Sequence, residues 1–154
     1  MNLIYKGQAL IIDECDLDIL ESYLCYWHED GYLNVSNPDN NIKCAGIHRI
    51  IAKRMGLSLL GQIDHIDRCR YNNSRINLRS VSIQQNKWNY GKGKNNSTGY
   101  KGVSLRKTTG KYQAYIKKDG KRIHIGYFND IVEAAKAYDV KAIELFGEYA
   151  GTNF

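Results

Sequence analysis

The chain has 154 residues, 43% hydrophobic and 25% charged, with a formal net charge of +6. That composition fits one ordinary globular domain or two small ones. The longest apolar runs, such as Ala9-Leu10-Ile11-Ile12, fall far below the roughly 18 residues of a membrane-spanning helix, and no membrane partner is expected. Asp13, Glu14, Asp16 and Asp18 stand where an export signal would carry a basic start and an apolar stretch. Cys15, Cys25, Cys44 and Cys69 have no C-x-x-C spacing, so free thiols in a reducing, cytoplasmic compartment are expected rather than a zinc ribbon.

From 1 to 46 the chain is acidic and hairpin-like. Residues 9–12 read as a strand, 16–24 as a short helix and 31–35 as a strand entered through a turn. No catalytic signature appears there. Trp27 and His28 read as an aromatic core residue with a hydrogen-bonded histidine at its edge.

A helix over 47–55 follows, with His48 at its start and Gly56 in the position that tolerates a left-handed residue. Next come a strand around Ile63-Asp64-His65, a polar loop through Arg70 and Asn73, and a second strand at Leu78-Arg79-Ser80. A helix then opens at Ser82, where Ser82-Ile83-Gln84-Gln85 fits a capping box.

Strand, loop, strand and helix make a ββα unit whose polar residues suit phosphodiester hydrolysis. Asp64 can coordinate a hard cation, and the amide oxygen of Asn86, one turn into the helix, can serve the same ion. Oxygen ligands favour Mg²⁺ or Mn²⁺ over zinc. His65 points to the opposite side of the strand from Asp64, toward a water that it can deprotonate near neutral pH. Asn77 is suited to organising the loop over 66–76 through backbone hydrogen bonds, so holding His65 in orientation.

These residues carry a resemblance. His48-Arg49, Asp64-His65-Ile66-Asp67, Asn72-Asn73, Asn77-Leu78-Arg79 and Gln85-Asn86 resemble the signature of the phage and intron HNH homing endonucleases, over most of the first 90 residues. The resemblance implies one divalent metal held by Asp64 and Asn86, His65 as general base and Asn77 as the family's middle asparagine. It implies hydrolysis of double-stranded DNA to a 3′-hydroxyl and a 5′-phosphate.

Charge is distributed unevenly. Residues 1–90 hold 10 Lys or Arg against 10 Asp or Glu, so the remainder supplies the whole excess. Between Lys87 and His124 stand eleven basic residues and one acid, Asp119, a candidate surface for a polyanion.

After a glycine- and lysine-rich tether at 91–97, three strands are expected over 100–106, 112–118 and 121–128, the last two joined by an Asp119-Gly120 turn. Alternation puts Val103, Leu105, Ala114, Ile116, Ile123 and Ile125 on one face. Ser104, Arg106, Gln113, Tyr115, Lys117, Arg122 and His124 fall on the other. A helix over 131–146 covers the apolar face with Ile131, Ala134, Ala135, Tyr138, Ala142 and Leu145. Asp130 and Glu133 fit a capping-box variant at its start, and Gly147 ends it.

Tyr100-Lys101-Gly102-Val103, Gly110-Lys111-Tyr112, Ile125-Gly126-Tyr127-Phe128, Glu133-Ala134-Ala135, Ala137-Tyr138-Asp139 and Thr152-Asn153-Phe154 resemble the plant ethylene-response-factor DNA-binding domain. Carried over, DNA contacts fall on Lys101, Gly102, Arg106, Lys111, Lys117, Arg122 and His124. Ser104, Tyr115 and His124 depart from that domain's usual residues, so its target sequence does not transfer.

The expectation is an α+β protein: an HNH ββα-metal nuclease domain over 1–90, a linker over 91–97, and a three-stranded antiparallel sheet packed on one helix over 98–154. It acts as a monomer on DNA, with a dimer as the route to a double-strand break, in the cytoplasm of a phage-infected or bacterial cell. The competing reading is a non-catalytic DNA-binding regulator with a vestigial HNH fold. An RNA-binding role finds no matching stacking motif.

Overall fold

In the computed structural model, which describes residues 1–37 and 42–154, ten strands and four helices alternate along the described chain. The class is mixed α+β, with four small antiparallel sheets, and the chain divides into two compact units, Met1–Ile83 and Gln84–Phe154. Among the described residues no helix is long and apolar enough to cross a membrane.

The first unit opens with a hairpin, β1 (Asn2–Tyr5) and β2 (Gln8–Ile11). The helix expected over 16–24 is shorter: a 3₁₀ turn at Glu14–Asp16 leads into α1 (Asp18–Ser22). Tyr23 is extended, and Leu24 already opens β3 (Leu24–Trp27). The physical reason is pairing, because the run Leu24-Cys25-Tyr26-Trp27 has strand-favouring side chains and a partner in β4 (Leu33–Asn37). Strand β5 (Ile42–Gly46) completes the sheet in the order β3-β4-β5. Alternate residues Cys25, Leu33 and Val35 are buried, and Trp27 packs beside them while its indole donates to the Tyr5 carbonyl at 2.8 Å. His28 pairs with Asp30 at the surface. The cysteines are all free thiols.

Helix α2 (Ile47–Arg54) buries Ile47, Ile51 and Ala52, positions one turn apart, in the same core as Leu10, Ile12 and Ile19. Beyond it β6 (Gln62–His65) pairs antiparallel with β7 (Leu78–Val81), and α3 (Ile83–Asn89) follows.

The division into units falls inside α3, upstream of the tether expected at 91–97. Trp88 explains why: its ring stacks on Phe146 at 4.6 Å, and its carbonyl accepts from the Gly151 amide at 3.1 Å. Within the second unit Asn96 ties down the chain that follows it, its Oδ1 accepting from the amides of Thr98 and Gly99.

The second unit is a meander of β8 (Val103–Arg106), β9 (Lys111–Lys118) and β10 (Lys121–Phe128), covered by α4 (Ile131–Phe146). The β9–β10 turn has Asp119 at φ 50° and Gly120 at φ 75°, the two left-handed residues of a tight hairpin. Helix α4 is capped by Asp130, whose side chain accepts from the amides of Val132 and Glu133, and it ends at Gly147. Ala134, Ala135, Tyr138, Ala142 and Phe146 are buried against Val103, Ala114 and Ile116. The sequence placed Leu105 on this covered face, yet it is 47% exposed while its cross-strand partner Tyr112 packs on the core.

Candidate functional site

Asp64 and His65 are consecutive on β6 and both buried. Their depth follows from sheet register, since β7 lies alongside with Asp64 opposite Arg79 and His65 opposite Leu78. The Arg79 guanidinium donates twice to Asp64 Oδ2, at 3.0 and 2.9 Å, so charge pairing fixes the carboxylate in one orientation.

The loop from β6 to β7 is built around Asp67. Its carboxylate accepts from the Cys69 amide at 2.8 Å, from Asn72 Nδ2 at 2.7 Å and from Asn77 Nδ2 at 2.8 Å. Asn77 answers with its own oxygen, which accepts from the Asp67 amide at 3.0 Å, and its Nδ2 also reaches the Asn72 carbonyl at 2.8 Å. The Ile66 amide donates to the Asn77 carbonyl at 2.9 Å. Asn77 therefore closes the loop from both ends, which draws the chain leaving His65 back against the start of β7.

A different asparagine meets the His65 ring. Asn73, fully buried, sets its Oδ1 3.2 Å from His65 Nε2. Nearby lie Tyr32 and His48, whose ring centroids are 6.0 and 5.2 Å from that of His65. The Arg70 guanidinium covers Tyr32 at 4.6 Å and also bonds the Asp30 carbonyl.

Burial pushes the His65 ring below the ordinary imidazole pKa. The bond to Asn73 and the carboxylates of Asp67 and Asp64 work against that, and the charge of Arg70 adds to it. His48 goes further, to about 3, through burial first and then the charges of His65 and Arg49. Both imidazoles are neutral at pH 7. His48 Nδ1 is buried with no hydrogen-bond partner among the described residues.

Sequence reasoning placed Asp64, His65, Asn77 and Asn86 in one site. The first unit contains Asp64, His65 and Asn77, while Asn86 stands on α3 in the portion that belongs to the second unit. Arg79, Asp67 and Asn73 act around these residues in ways no motif announced. The pairing of Arg79 with Asp64 emerges only with the register of β6 against β7. Among the described residues no group of three or more His, Cys, Asp or Glu side chains could hold a metal ion. One carboxylate plus amide oxygens is a donor set of another kind, and a hard one.

The second unit presents the polar face of its sheet. Cross-strand pairs Ser104 with Gln113, Arg106 with Lys111, Tyr115 with His124 and Lys117 with Arg122 share that face. A register shift between His124 and Gly126 brings Tyr127 opposite Gln113. The long cations are ordered by rings: Arg122 lies 3.5 Å over Tyr115, and Arg106 donates to the Tyr127 hydroxyl at 2.7 Å. Gln113 reaches His124 Nδ1 at 3.2 Å. Lys111 and Lys117 are exposed.

Lys101 and Gly102, both carried over as DNA contacts, have structural work of their own in this unit. Lys101 Nζ donates to the Trp88 carbonyl at 2.7 Å and lies 5.9 Å from the Tyr138 ring. Gly102 has φ 74°, and a Cβ there would meet the Tyr138 ring at 2.0 Å, so both conformation and space exclude a side chain. The tail is clamped as well, because Asp139 accepts from the amides of Asn153 and Phe154 at 2.8 and 3.1 Å.

Comparison with known proteins finds relatives of more than one kind. A mimivirus protein named an uncharacterized HNH endonuclease, from Acanthamoeba polyphaga mimivirus, is 37% identical over 91 residues, 59% of this chain. An APETALA2-like protein 2 of Oryza sativa is 38% identical over 58 residues, 38% of this chain. The chain spans 46% of the length of the first and 13% of the second. No protein-family model matches. Protein 3.8 of Escherichia phage T7 is 32% identical over 88 residues, which cover 57% of this chain and 72% of the phage protein. On that identity and coverage, the chain belongs to the same family as Protein 3.8 of phage T7.

Proposed function

We propose that the protein is a metal-dependent endonuclease that hydrolyses phosphodiester bonds in double-stranded DNA, as a site-selective nicking or homing enzyme of HNH type. The observation that carries the proposal is the buried pair Asp64 and His65 on β6, with the return loop closed on it by Asn77. The similarity to a protein named an HNH endonuclease supports the same reading.

The metal assigned here is one Mg²⁺ or Mn²⁺, and the residues suit it chemically. Asp64 offers a carboxylate held in one orientation by Arg79, and Asn86 offers an amide oxygen. When bound, such an ion neutralises charge that grows on the scissile phosphate and the leaving oxygen. His65, neutral at pH 7, takes a proton from water as the water oxygen bonds to phosphorus. The bond from phosphorus to the 3′ oxygen breaks, and that oxygen takes a proton from solvent, leaving a 3′-hydroxyl and a 5′-phosphate. Asn77 keeps the loop closed so that the base does not drift. One site per chain makes a nick by a monomer the elementary event.

DNA anchoring is assigned to the second unit, in the manner of an ethylene-response-factor domain, through Arg106, Lys111, Lys117, Arg122 and His124. Their side chains line one sheet face, as the recognition of a major groove by a β-sheet requires. Similarity to the APETALA2-like proteins supports this half. The cytoplasm of an infected or bacterial host cell is the expected place of action.

Incubating supercoiled plasmid with the protein at graded Mg²⁺ tests the reading, with Asp64→Ala and Asn86→Ala beside wild type. Nicked circles should appear only with metal. High metal should rescue Asn86→Ala better than Asp64→Ala, because the neutral amide is the weaker ligand. Identical metal activation curves for all three would refute the ligand assignment, and DNA binding without any cutting would favour the non-catalytic regulator.

A further inference from the structure

His65 has two ring nitrogens, and only an unprotonated one can take a proton from water. Which one that is depends on what the other is bonded to. The neighbour of Nε2 is Asn73 Oδ1 at 3.2 Å. An amide oxygen has no hydrogen to give, so the hydrogen in this bond belongs to the imidazole. The orientation of the amide is set by its other end, where Asn73 Nδ2 donates to the Arg70 carbonyl at 3.4 Å. Turning the amide over would place its oxygen against that carbonyl and lose that bond, and Nδ2 would then face Nε2 and require the opposite tautomer.

The backbone of Asn73 is held just as firmly, and by the part of the chain in which no catalytic signature was read. Its amide donates to the Ile11 carbonyl at 2.7 Å, and the Ile11 amide donates to the Tyr71 carbonyl at 2.8 Å, so β2 runs beside the loop as a short parallel bridge. Two residues on, the Arg75 amide donates to Asp13 at 2.7 Å. The Arg75 guanidinium meets both oxygens of the fully buried Asp16, at 2.7 and 3.0 Å. Asn73 is thus fixed against the first hairpin before it touches His65.

We propose that Asn73 is a positioning residue for the nuclease reaction, holding His65 as the Nε2–H tautomer so that Nδ1 is the atom that receives the proton. This rests on the nuclease reading above. It gives the buried asparagine and the acidic first segment a shared task, which is to choose the nitrogen that faces the chemistry.

The test uses the full chain with ¹⁵N-labelled histidine and long-range ¹H–¹⁵N spectra at pH 8 without metal or DNA, with His65→Ala assigning the ring. Wild type should show His65 protonated at Nε2. Asn73→Asp keeps an acceptor and should keep that tautomer. Asn73→Leu removes the acceptor and should populate the Nδ1–H form. In plasmid cleavage Asn73→Leu should lose about 10- to 10²-fold in kcat, a part of what loss of the whole base costs, with KM for DNA unchanged, while Asn73→Asp retains most of the activity.

An Nδ1–H ring in wild-type protein that cuts DNA overturns the assignment of Asn73 alone, and needs no variant to fold. A single Nε2–H tautomer in folded Asn73→Leu with wild-type kcat overturns it too. A wild-type protein that cuts no DNA under any metal overturns the nuclease reading, whatever the ring shows.

Discussion

The two units use polar residues in opposite ways. In the first, Asp64, His65, Asn73 and Asn77 are buried and bonded to neighbours in the same loop and sheet. In the second, Arg106, Lys111, Lys117, Arg122 and His124 stand at the surface, and their restraints are rings and single hydrogen bonds. A group that reacts must hold one orientation, and burial with satisfied bonds achieves that at a cost in desolvation. A surface that meets a polyanion keeps its charges solvated until contact, so it carries them at little cost to stability.

The largest effect expected is on the buried side. His65→Ala should lower cleavage by about 10² to 10⁴-fold, the usual contribution of a general base, with DNA affinity nearly unchanged. Wild-type cleavage by a folded variant would remove His65 from the mechanism.

Gly102→Ala sharpens the comparison within the second unit. A methyl group there meets the Tyr138 ring and must adopt a left-handed φ, so the unit should lose about 1–3 kcal/mol of stability, the usual range for overpacking. Denaturant melts would show it. An unchanged midpoint with weakened DNA binding would instead make Gly102 a contact residue.

Smaller effects belong to the exposed face. Lys117→Ala and Arg122→Ala should each reduce the slope of log affinity against log salt by about 0.9, one phosphate contact apiece, with unchanged melting. Isotherms at several salt concentrations decide this, and wild-type slopes in both would move the DNA anchor elsewhere. Cutting the chain near Lys94 is a poorer experiment, because it strips Phe146 from Trp88.

The last effect is on acid stability. His48 is neutral when folded, with a pKa of about 3 against 6.5 for the free ring. Below pH 6.5 the unfolded chain binds a proton that the folded chain refuses, so stability falls as pH drops from 6.5 toward 3. His65 acts in the same direction. His48→Gln should therefore lose less stability than wild type between pH 7 and 5, as thermal melts would register. Parallel pH profiles would mean that His48 is hydrated in the folded state.

Local patterns were the legible part of this chain. The Asp64-His65 strand and its partner at Leu78, the start of α2 at Ile47, the Asp119-Gly120 hairpin and the capped helix after Asp130 all appear where alternation, helical spacing and turn chemistry place them. Such signals depend on neighbours within a few residues, so they survive without knowledge of the fold. Leu24, the first residue of the strand Leu24–Trp27, was read as the end of a helix over 16–24, since its extended form depends on pairing with Leu33–Asn37.

The candidate site divides along the same line. Sequence by itself determined which residue types could do hydrolytic chemistry, that Asp64 and His65 lie on opposite sides of one strand, and that positive charge gathers beyond Lys87. Only the tertiary structure decided that Arg79 grips Asp64, that Asn73 rather than Asn77 meets the His65 ring, and that the Lys101 ammonium bonds the Trp88 carbonyl. Each of these joins residues eight to fifteen positions apart across a sheet register, an irregular loop or a domain core. Their separations carry no period, so the meeting exists only once β6 has paired with β7, the loop has closed on Asp67, and α3 has packed Trp88 against Phe146.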